Sequence, residues 1–357
     1  MLNIIFILPG SGGTPVGGFK VVYEYANKLV SRGHSVSIIH PAMLETDTRW
    51  FEKPKKLARF IQRSIDKSYF PRKWFEIDPR VRILWVPNLK EKFIPDADAV
   101  IATAWQTAEW VANYTAAKGR KYYLIQHYET WSGSEERVRQ TWTLPLSKIV
   151  IARWLGNIAE ELSEQSSYIP NGLDFSKFGL DLPIDERNPR SIMMLYHEQA
   201  WKGSQEGIEA LSQVRKLYPD LHVTMFGVTG GAMLPDWVHY YRLPEQKLLR
   251  ELYNQSAVFL APSWSEGWGL PACEAMMCGC AVVATNIDGH KEFCIDNDTA
   301  ILVMPKDPDS ITTAIVSLIE NSKKRFYIAN SGNQYIQQFT WDKAADSLES
   351  ILLHGVK

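Results

Sequence analysis

Ser265-Glu266-Gly267-Trp268-Gly269-Leu270-Pro271-Ala272-Cys273-Glu274 follows a strand-like run, Ala257-Val258-Phe259-Leu260-Ala261, and opens a helix. Pro271 has a fixed φ and no N–H, which suits the first helical position. The helix is expected to run from Pro271 to about Met277, with Cys278-Gly279-Cys280 closing it. Glu266 then lies in the loop before the helix and Glu274 one turn inside it. Between them the backbone N–H groups of Gly269, Leu270 and Ala272 sit at the positive end of the helix, an anion site for phosphate. Carboxylates flanking an anion need uncharged partners, and a vicinal diol offers two donors to an acceptor-only group. The stretch reads as a site for a sugar–phosphate–sugar ligand. A polar loop capping an ordinary α/β helix fits the spacing equally well.

The remainder of the chain fits around such a unit. At 357 residues it suits two domains of about 150–180 residues each. Strand and helix signals alternate throughout, which argues for parallel sheets covered on both faces. The first series has strands expected over 3–8, 35–39, 81–86, 99–102, 122–126 and 149–152. A helix behind the glycine-rich loop 9–18 buries Val22, Ala26, Leu29 and Val30, and another starts near Gln106. The run 167–174 leads into an interdomain connection. A second series has strands over 192–196, 221–226, 257–261, 281–284 and 300–303, with helices over 203–216 and 244–254 and from about Asp309. A last helix over 341–354 buries Ala345, Leu348, Ile351 and Leu352.

Composition excludes several classes. A net charge of −1 gives no global attraction to nucleic acid. The four cysteines, Cys273, Cys278, Cys280 and Cys294, form no C-x-x-C pair and read as buried free thiols. The first eight residues are apolar without a basic flank, so they read as a buried strand and not as a signal peptide. No run of about 18 apolar residues is present. The glycine-rich loop lacks the third glycine of a dinucleotide fingerprint, with Pro15 in its place. No acidic residue ends the second strand, so a nicotinamide site is not expected.

Two features outside the organising loop carry chemistry. From Lys53 to Trp74 the basic residues Lys53, Lys55, Lys56, Arg59, Arg63, Lys67, Arg72 and Lys73 face one acid, Asp66. Leu57, Phe60, Ile61, Ile65, Tyr69, Phe70 and Trp74 are interleaved. Such a segment suits an anionic lipid surface, or equally a solvated helix packed by its apolar stripe. His127 follows the strand over 122–126, at the carboxyl end where α/β sheets face ligands. It is a site candidate, or a structural histidine.

These pieces together resemble the retaining glycosyltransferases of family 4, over nearly the whole chain. The motifs that carry the resemblance are Glu266-x7-Glu274 with its following Cys-Gly-Cys-Ala-Val-Val-Ala-Thr, and Gly17-Gly18 opening the first helix. Pro170-Asn171-Gly172-Leu173-Asp174 at the junction and Trp201-Lys202-Gly203 after the first strand of the second series join them. The resemblance implies the GT-B fold, α/β with two facing Rossmann-like domains and a cleft between them. The first domain would span 1–168, joined by the returning helix 341–357, and the second 169–340. It implies that Glu274 holds the donor's ribose, Glu266 its sugar, and backbone around Gly267, Trp268, Gly269 and Leu270 its diphosphate. Lys202 would neutralise the diphosphate, Gly17 and Gly18 would approach it, and His127 would face the donor sugar. The base would meet backbone near Arg242 and Leu243. An Arg usual about six residues before the lysine is replaced here by Tyr196-His197, with His197 a candidate hydrogen-bond donor in its place.

The implied reaction is transfer of a sugar from a nucleotide-diphosphate donor to a glycan or lipid-linked acceptor with retained configuration, without metal or other cofactor. Further expectations are a role in bacterial surface polysaccharides with a rhamnosyltransferase-like cast, and a cytoplasmic site with the 53–74 segment at the inner membrane face. A nucleotide-sugar epimerase and an inactive nucleotide-binding scaffold are the competing functions.

Overall fold

The computed structural model describes residues 1–44, 53–231 and 234–354, with backbone alone at 53–56. The chain forms two compact units, one of Met1–Gly172 with Trp341–Lys357, the other of Leu173–Thr340. The division follows Gly172, not Tyr168. Gly172 lies against the start of the last helix, where a Cβ would come within 2.5 Å of Trp341 Cα, so this part of the junction motif belongs with the first unit.

The first unit holds strands β1 (Asn3–Ile7), β2 (Ser35–Pro41), β3 (Arg82–Val86), β4 (Ala99–Ala102), β5 (Arg120–Ile125), β6 (Ser147–Val150) and β7 (Ser166–Tyr168). They form a parallel sheet in the order β3-β2-β1-β4-β5-β6-β7. Its helices are α1 (Gly17–Ser31), α2 (Lys53–Asp66), α3 (Trp105–Ala112), α4 (Glu135–Trp142) and α5 (Arg153–Glu161), joined by α12 (Trp341–His354) from the far end of the chain. The central strands are apolar on both faces, with Ile4, Ile5, Phe6, Ile7, Val100 and Ile101 buried. That is what a sheet covered by helices on both sides demands. α12 packs on α1 through Trp341, whose ring meets Tyr25 edge-on at 5.3 Å. Ion pairs fasten the same seam: Lys28–Asp342 at 2.7 Å, Arg32–Asp346 at 2.6 Å, and Glu349 bound by both Arg32 and His34 at 2.7 Å.

The second unit holds β8 (Ser191–Leu195), α6 (Ser204–Leu217), β9 (His222–Gly227), β10 (Val238–Arg242), α7 (Gln246–Gln255), β11 (Val258–Ala261), α8 (Leu270–Met277), β12 (Ala281–Thr285), α9 (Asp288–Lys291), β13 (Ile301–Val303), α10 (Pro308–Glu320) and α11 (Ser322–Ile336). Its parallel sheet runs β10-β9-β8-β11-β12-β13. α8 is buried from Ala272 to Met277 and apolar there but for Glu274, as suits a helix packed inside a core. Its last carbonyls, Met276 O and Met277 O, accept from Asn333 Nδ2 of α11, both at 2.9 Å. This satisfies two of the acceptors that a helix end leaves open. Gly279, at φ 81°, then turns the chain into β12.

The four cysteines are buried free thiols. Among the described residues no helix is long and apolar enough to cross a membrane. Within the basic segment, Phe60 stacks on Trp85 with centroids 6.1 Å apart, and Tyr69 stacks on it at 5.3 Å. The aromatic residues therefore face inward. Leu57, Ile61 and Ile65, spaced i, i+4, i+8 on one helix face, stay 52%, 50% and 78% exposed. The side chains of Lys53, Lys55 and Lys56 lie outside the described residues.

Candidate functional site

In the second unit the candidate residues gather at the carboxyl edge of the sheet, where α/β proteins place ligands. Two close approaches of backbone build the centre. After β8 the chain makes a single turn over Ala200–Lys202 and reaches Gly203 at φ 66°. A Cβ there would lie 2.0 Å from Pro262 O, so only glycine lets this turn meet the loop after β11. Trp264 N–H then donates to Trp201 O at 2.7 Å and ties the two loops. On the other side Gly289 allows Glu266 O to approach; a Cβ would lie 2.3 Å from it.

These contacts bring Lys202 and Glu266 together. The ammonium lies 2.8 Å from Oε1 and 2.9 Å from Oε2, and the Ser263 hydroxyl donates to Oε1 at 2.8 Å. Burial alone would push the Glu266 carboxyl up. The Lys202 charge and these hydrogen bonds outweigh it and hold the group below the usual carboxylate range. Beside it, His290 is fully buried and bonds through Nδ1 to Thr285 O at 2.9 Å. Burial lowers its pKa despite the opposing charge of Glu266, so the ring is neutral. The same recess is lined by Lys202, Ser263, Glu266, Gly269, Pro271 and His290. Ser263 and His290 carry no sequence signal; only the fold brings them here.

The helix start differs in detail from the sequence expectation. α8 begins at Leu270, with Pro271 second, and its N-cap Gly269 sits at φ 106°. Ala272 N–H donates to Gly269 O at 3.1 Å, so it is not a free donor. Among the described residues Gly269 N–H and Leu270 N–H have no such partner, and the anion site reduces to these two amides. A side chain at 269 would come within 2.9 Å of His290 Cδ2, which keeps the position glycine. Trp268 is buried, with its ring 6.1 Å from Phe293 and edge-on to Phe339 at 5.5 Å. Its indole is core, and any ligand contact at 267–268 falls to the backbone. Glu274 is buried one turn into α8 and accepts from Tyr253 OH at 3.2 Å.

His197 is half-buried after β8. Its N–H donates to Ser204 Oγ at 2.9 Å, and its Nδ1 accepts from Gln199 N–H at 3.0 Å. Burial and the nearby Lys202 charge lower its pKa. It is therefore no substitute cation. With Nδ1 accepting, the neutral ring carries its proton on Nε2 and offers one donor. At the edge strand, Arg242 Nε donates to Val228 O at 3.3 Å. Leu243 sits at φ 48°, and its N–H is taken by Gly227 O at 2.8 Å.

The first unit carries the other three candidates. Gly17 and Gly18 form the first turn of α1, whose Phe19 and Lys20 N–H groups both donate to Val16 O at 3.0 Å. Gly18 O accepts from Gln126 Nε2 at 3.1 Å. Glycines earlier in this loop serve packing: Gly12 N–H donates to Tyr69 O at 2.9 Å and Gly12 O accepts from Trp74 Nε1 at 2.8 Å. His127 follows β5, with its ring edge-on to Trp131 at 4.5 Å and to Trp154 at 5.6 Å.

Residues 186–335, most of the second unit, match the family model of glycosyl transferases group 1. The chain is similar to D-inositol 3-phosphate glycosyltransferase of Paenarthrobacter aurescens, 29% identical over 231 residues, covering 56% of this chain and 57% of that protein. Across such curated relatives it spans from 27% to 57% of their length. In fold it is similar to sucrose-phosphate synthase from Thermosynechococcus elongatus, with a TM-score of 0.74 at 16% identity and 98% of each chain covered. Anabaena HepE in complex with UDP-glucose gives 0.72 at 15% identity, covering 99% of this chain and 100% of that one. Residues 186–335 thus match the glycosyl transferases group 1 by sequence, and the fold throughout is of the GT-B class seen in these structures.

Proposed function

We propose that the protein is a retaining glycosyltransferase of family 4, taking a sugar from a nucleotide-diphosphate donor. The observation that carries this reading is the Lys202–Glu266–Ser263 cluster beside the amides of Gly269 and Leu270. One cation and two backbone donors suit a diphosphate, while a carboxylate held ionised suits sugar hydroxyls. A protein of the same fold holds UDP-glucose.

Breaking the sugar–phosphate bond places negative charge on the departing diphosphate. Lys202, the α8 amides and the Nε2–H of His197 would stabilise it. Glu274 would hold the ribose, the Leu243 carbonyl the base, and Gly17, Gly18 and His127 on the first unit would serve the phosphate and the sugar. Both glutamates are then occupied with hydroxyls, so same-face attack with the leaving phosphate taking the acceptor proton is preferred to a covalent intermediate. Lys202, the two α8 amides and the His197 ring are the diphosphate donors of this scheme, which routes no step through a metal.

The acceptor is proposed to be a growing or lipid-linked glycan of a bacterial surface polysaccharide, with rhamnosyl transfer as one form. In support, α2 presents Leu57, Ile61 and Ile65 to solvent beside exposed Arg59 and Lys67, which suits the inner face of an anionic membrane.

The test is release of nucleoside diphosphate from a panel of UDP-, GDP- and dTDP-sugars with and without glycan acceptors. Acceptor-dependent release with an α-configured product from an α-donor is expected. Isomerised donor would instead mark an epimerase, and tight binding without turnover a scaffold.

A further inference from the structure

Two residues past His127, Glu129 makes a contact that the scheme above leaves unused. Its Oε2 accepts the backbone N–H of Trp105, the first residue of α3, at 2.9 Å. The amides just before it, of Thr103 and Ala104, both donate to Thr107 Oγ1 at 3.0 Å, and Glu129 supplies the acceptor for the next amide, that of Trp105. The same tryptophan grips the far side of the loop, with Trp105 Nε1 donating to Ser132 Oγ at 2.9 Å. Ser132 folds back in turn: its N–H donates to Glu129 O at 3.2 Å and its hydroxyl at 3.1 Å. Gly133 lies flat on the indole, where a Cβ would be 2.6 Å from Trp105 Cζ2.

The loop between β5 and α4 is therefore pinned to α3 at both ends of the 129–133 stretch. Trp131, which stands against the His127 ring, lies inside that pinned stretch. We propose that Glu129 is a positioning residue for His127, holding the loop on α3 so that Trp131 and the imidazole keep one fixed arrangement. The inference rests on the role of His127 given under Proposed function. Burial pushes the Glu129 carboxyl up to about 7, against the Trp105 amide, which works the other way. The anchor is thus a group that the fold does not favour in its charged form.

A helix cap alone would also explain the Trp105 contact, so the test must separate capping from positioning. Hydrogen exchange of the 127–134 amides reads the anchor without any substrate. Glu129→Ala should speed exchange there by about tenfold or more, and Glu129→Gln, which still accepts the Trp105 N–H, should not. Unchanged exchange in Glu129→Ala overturns the proposal. With the fastest donor of the panel above, Glu129→Ala should lower kcat about tenfold with KM within about threefold, and Glu129→Gln should restore it. In the His127→Ala background the same change should have no further effect, because the two act as one unit. Additive losses would make Glu129 a cap only and refute positioning. Should His127→Ala itself leave turnover intact, the role of His127 falls, and with it the proposal, whatever exchange shows for the anchor.

Discussion

Lys202 Nζ lies 2.8 and 2.9 Å from the two carboxylate oxygens of Glu266, a pair closed between loops far apart in the chain. The cation assigned to the diphosphate and the anion assigned to the sugar thus neutralise one another before any donor arrives. Removing one partner strands the other in a largely buried place. Lys202→Met should destabilise the second unit on the order of 3 kcal/mol, whereas Lys202→Met with Glu266→Gln should recover most of that. Neither variant should transfer sugar. Denaturant melts and turnover together check this; equal stability of the two variants would mean the pair is not coupled.

Glu274 is shared in the same manner. Its carboxylate accepts from Tyr253 OH, whose phenol is fully buried and pushed far up by burial and by that charge. Glu274→Ala would therefore weaken donor binding by about 1–3 kcal/mol and leave a buried hydroxyl unsatisfied as well. Glu274→Gln keeps an acceptor for Tyr253 and isolates the ribose contact. Calorimetry with the nucleoside diphosphate should show weaker binding in Glu274→Gln at an unchanged melting temperature; wild-type affinity in that variant would refute the ribose role.

The α2 surface divides its basic residues. Arg63 Nη1 donates to Ser11 Oγ at 2.6 Å, and its guanidinium sits 5.7 Å from the Trp85 ring centroid, so neutralising it disturbs the fold. Leu57, Ile61 and Ile65 touch solvent, and replacing all three with Ser should shift stability little. That triple change should release the protein from phosphatidylglycerol vesicles in a flotation assay, with about tenfold loss of partitioning or more. Retained flotation, or none in the wild type, removes the membrane contact.

Much of this was legible in the sequence because parallel strands and their covering helices write strong local signals. The run of β1 and the stripe of α12 are cases in point. β10 was not, since Val-His-Tyr-Tyr-Arg at a sheet edge carries no buried alternation. α11 was hidden as well: Asn330, Ser331, Gly332 and Asn333 are weak helix formers, and packing on α8 decides the matter. In the site, motif spacing located Lys202, Glu266 and Glu274, but their partners are long-range. No spacing reveals that Asn333 closes α8, that Ser263 and His290 flank Glu266, or that Ala272 spends its N–H on Gly269. The orientation of Trp268 into the core is equally a product of tertiary packing.

Glu129 gives a pH signature whose sign is fixed. Its folded value of about 7 lies above the ordinary 4.5, so the native state holds the proton more tightly than the unfolded chain. The associated stability is fully present below the unfolded value and is lost as pH rises through about 7. The penalty at pH 8 should be on the order of 2 kcal/mol after allowance for partial exposure. Glu129→Gln keeps the hydrogen bond to Trp105 and removes the ionisation. It should match the wild type near pH 4, below both values, and melt several degrees higher at pH 8, on the scale of roughly 2–4 °C per kcal/mol. Other titrating groups bend both curves alike, so the difference between the two isolates this carboxyl. Parallel melting curves from pH 4 to pH 8 would show that Glu129 ionises as an ordinary surface acid.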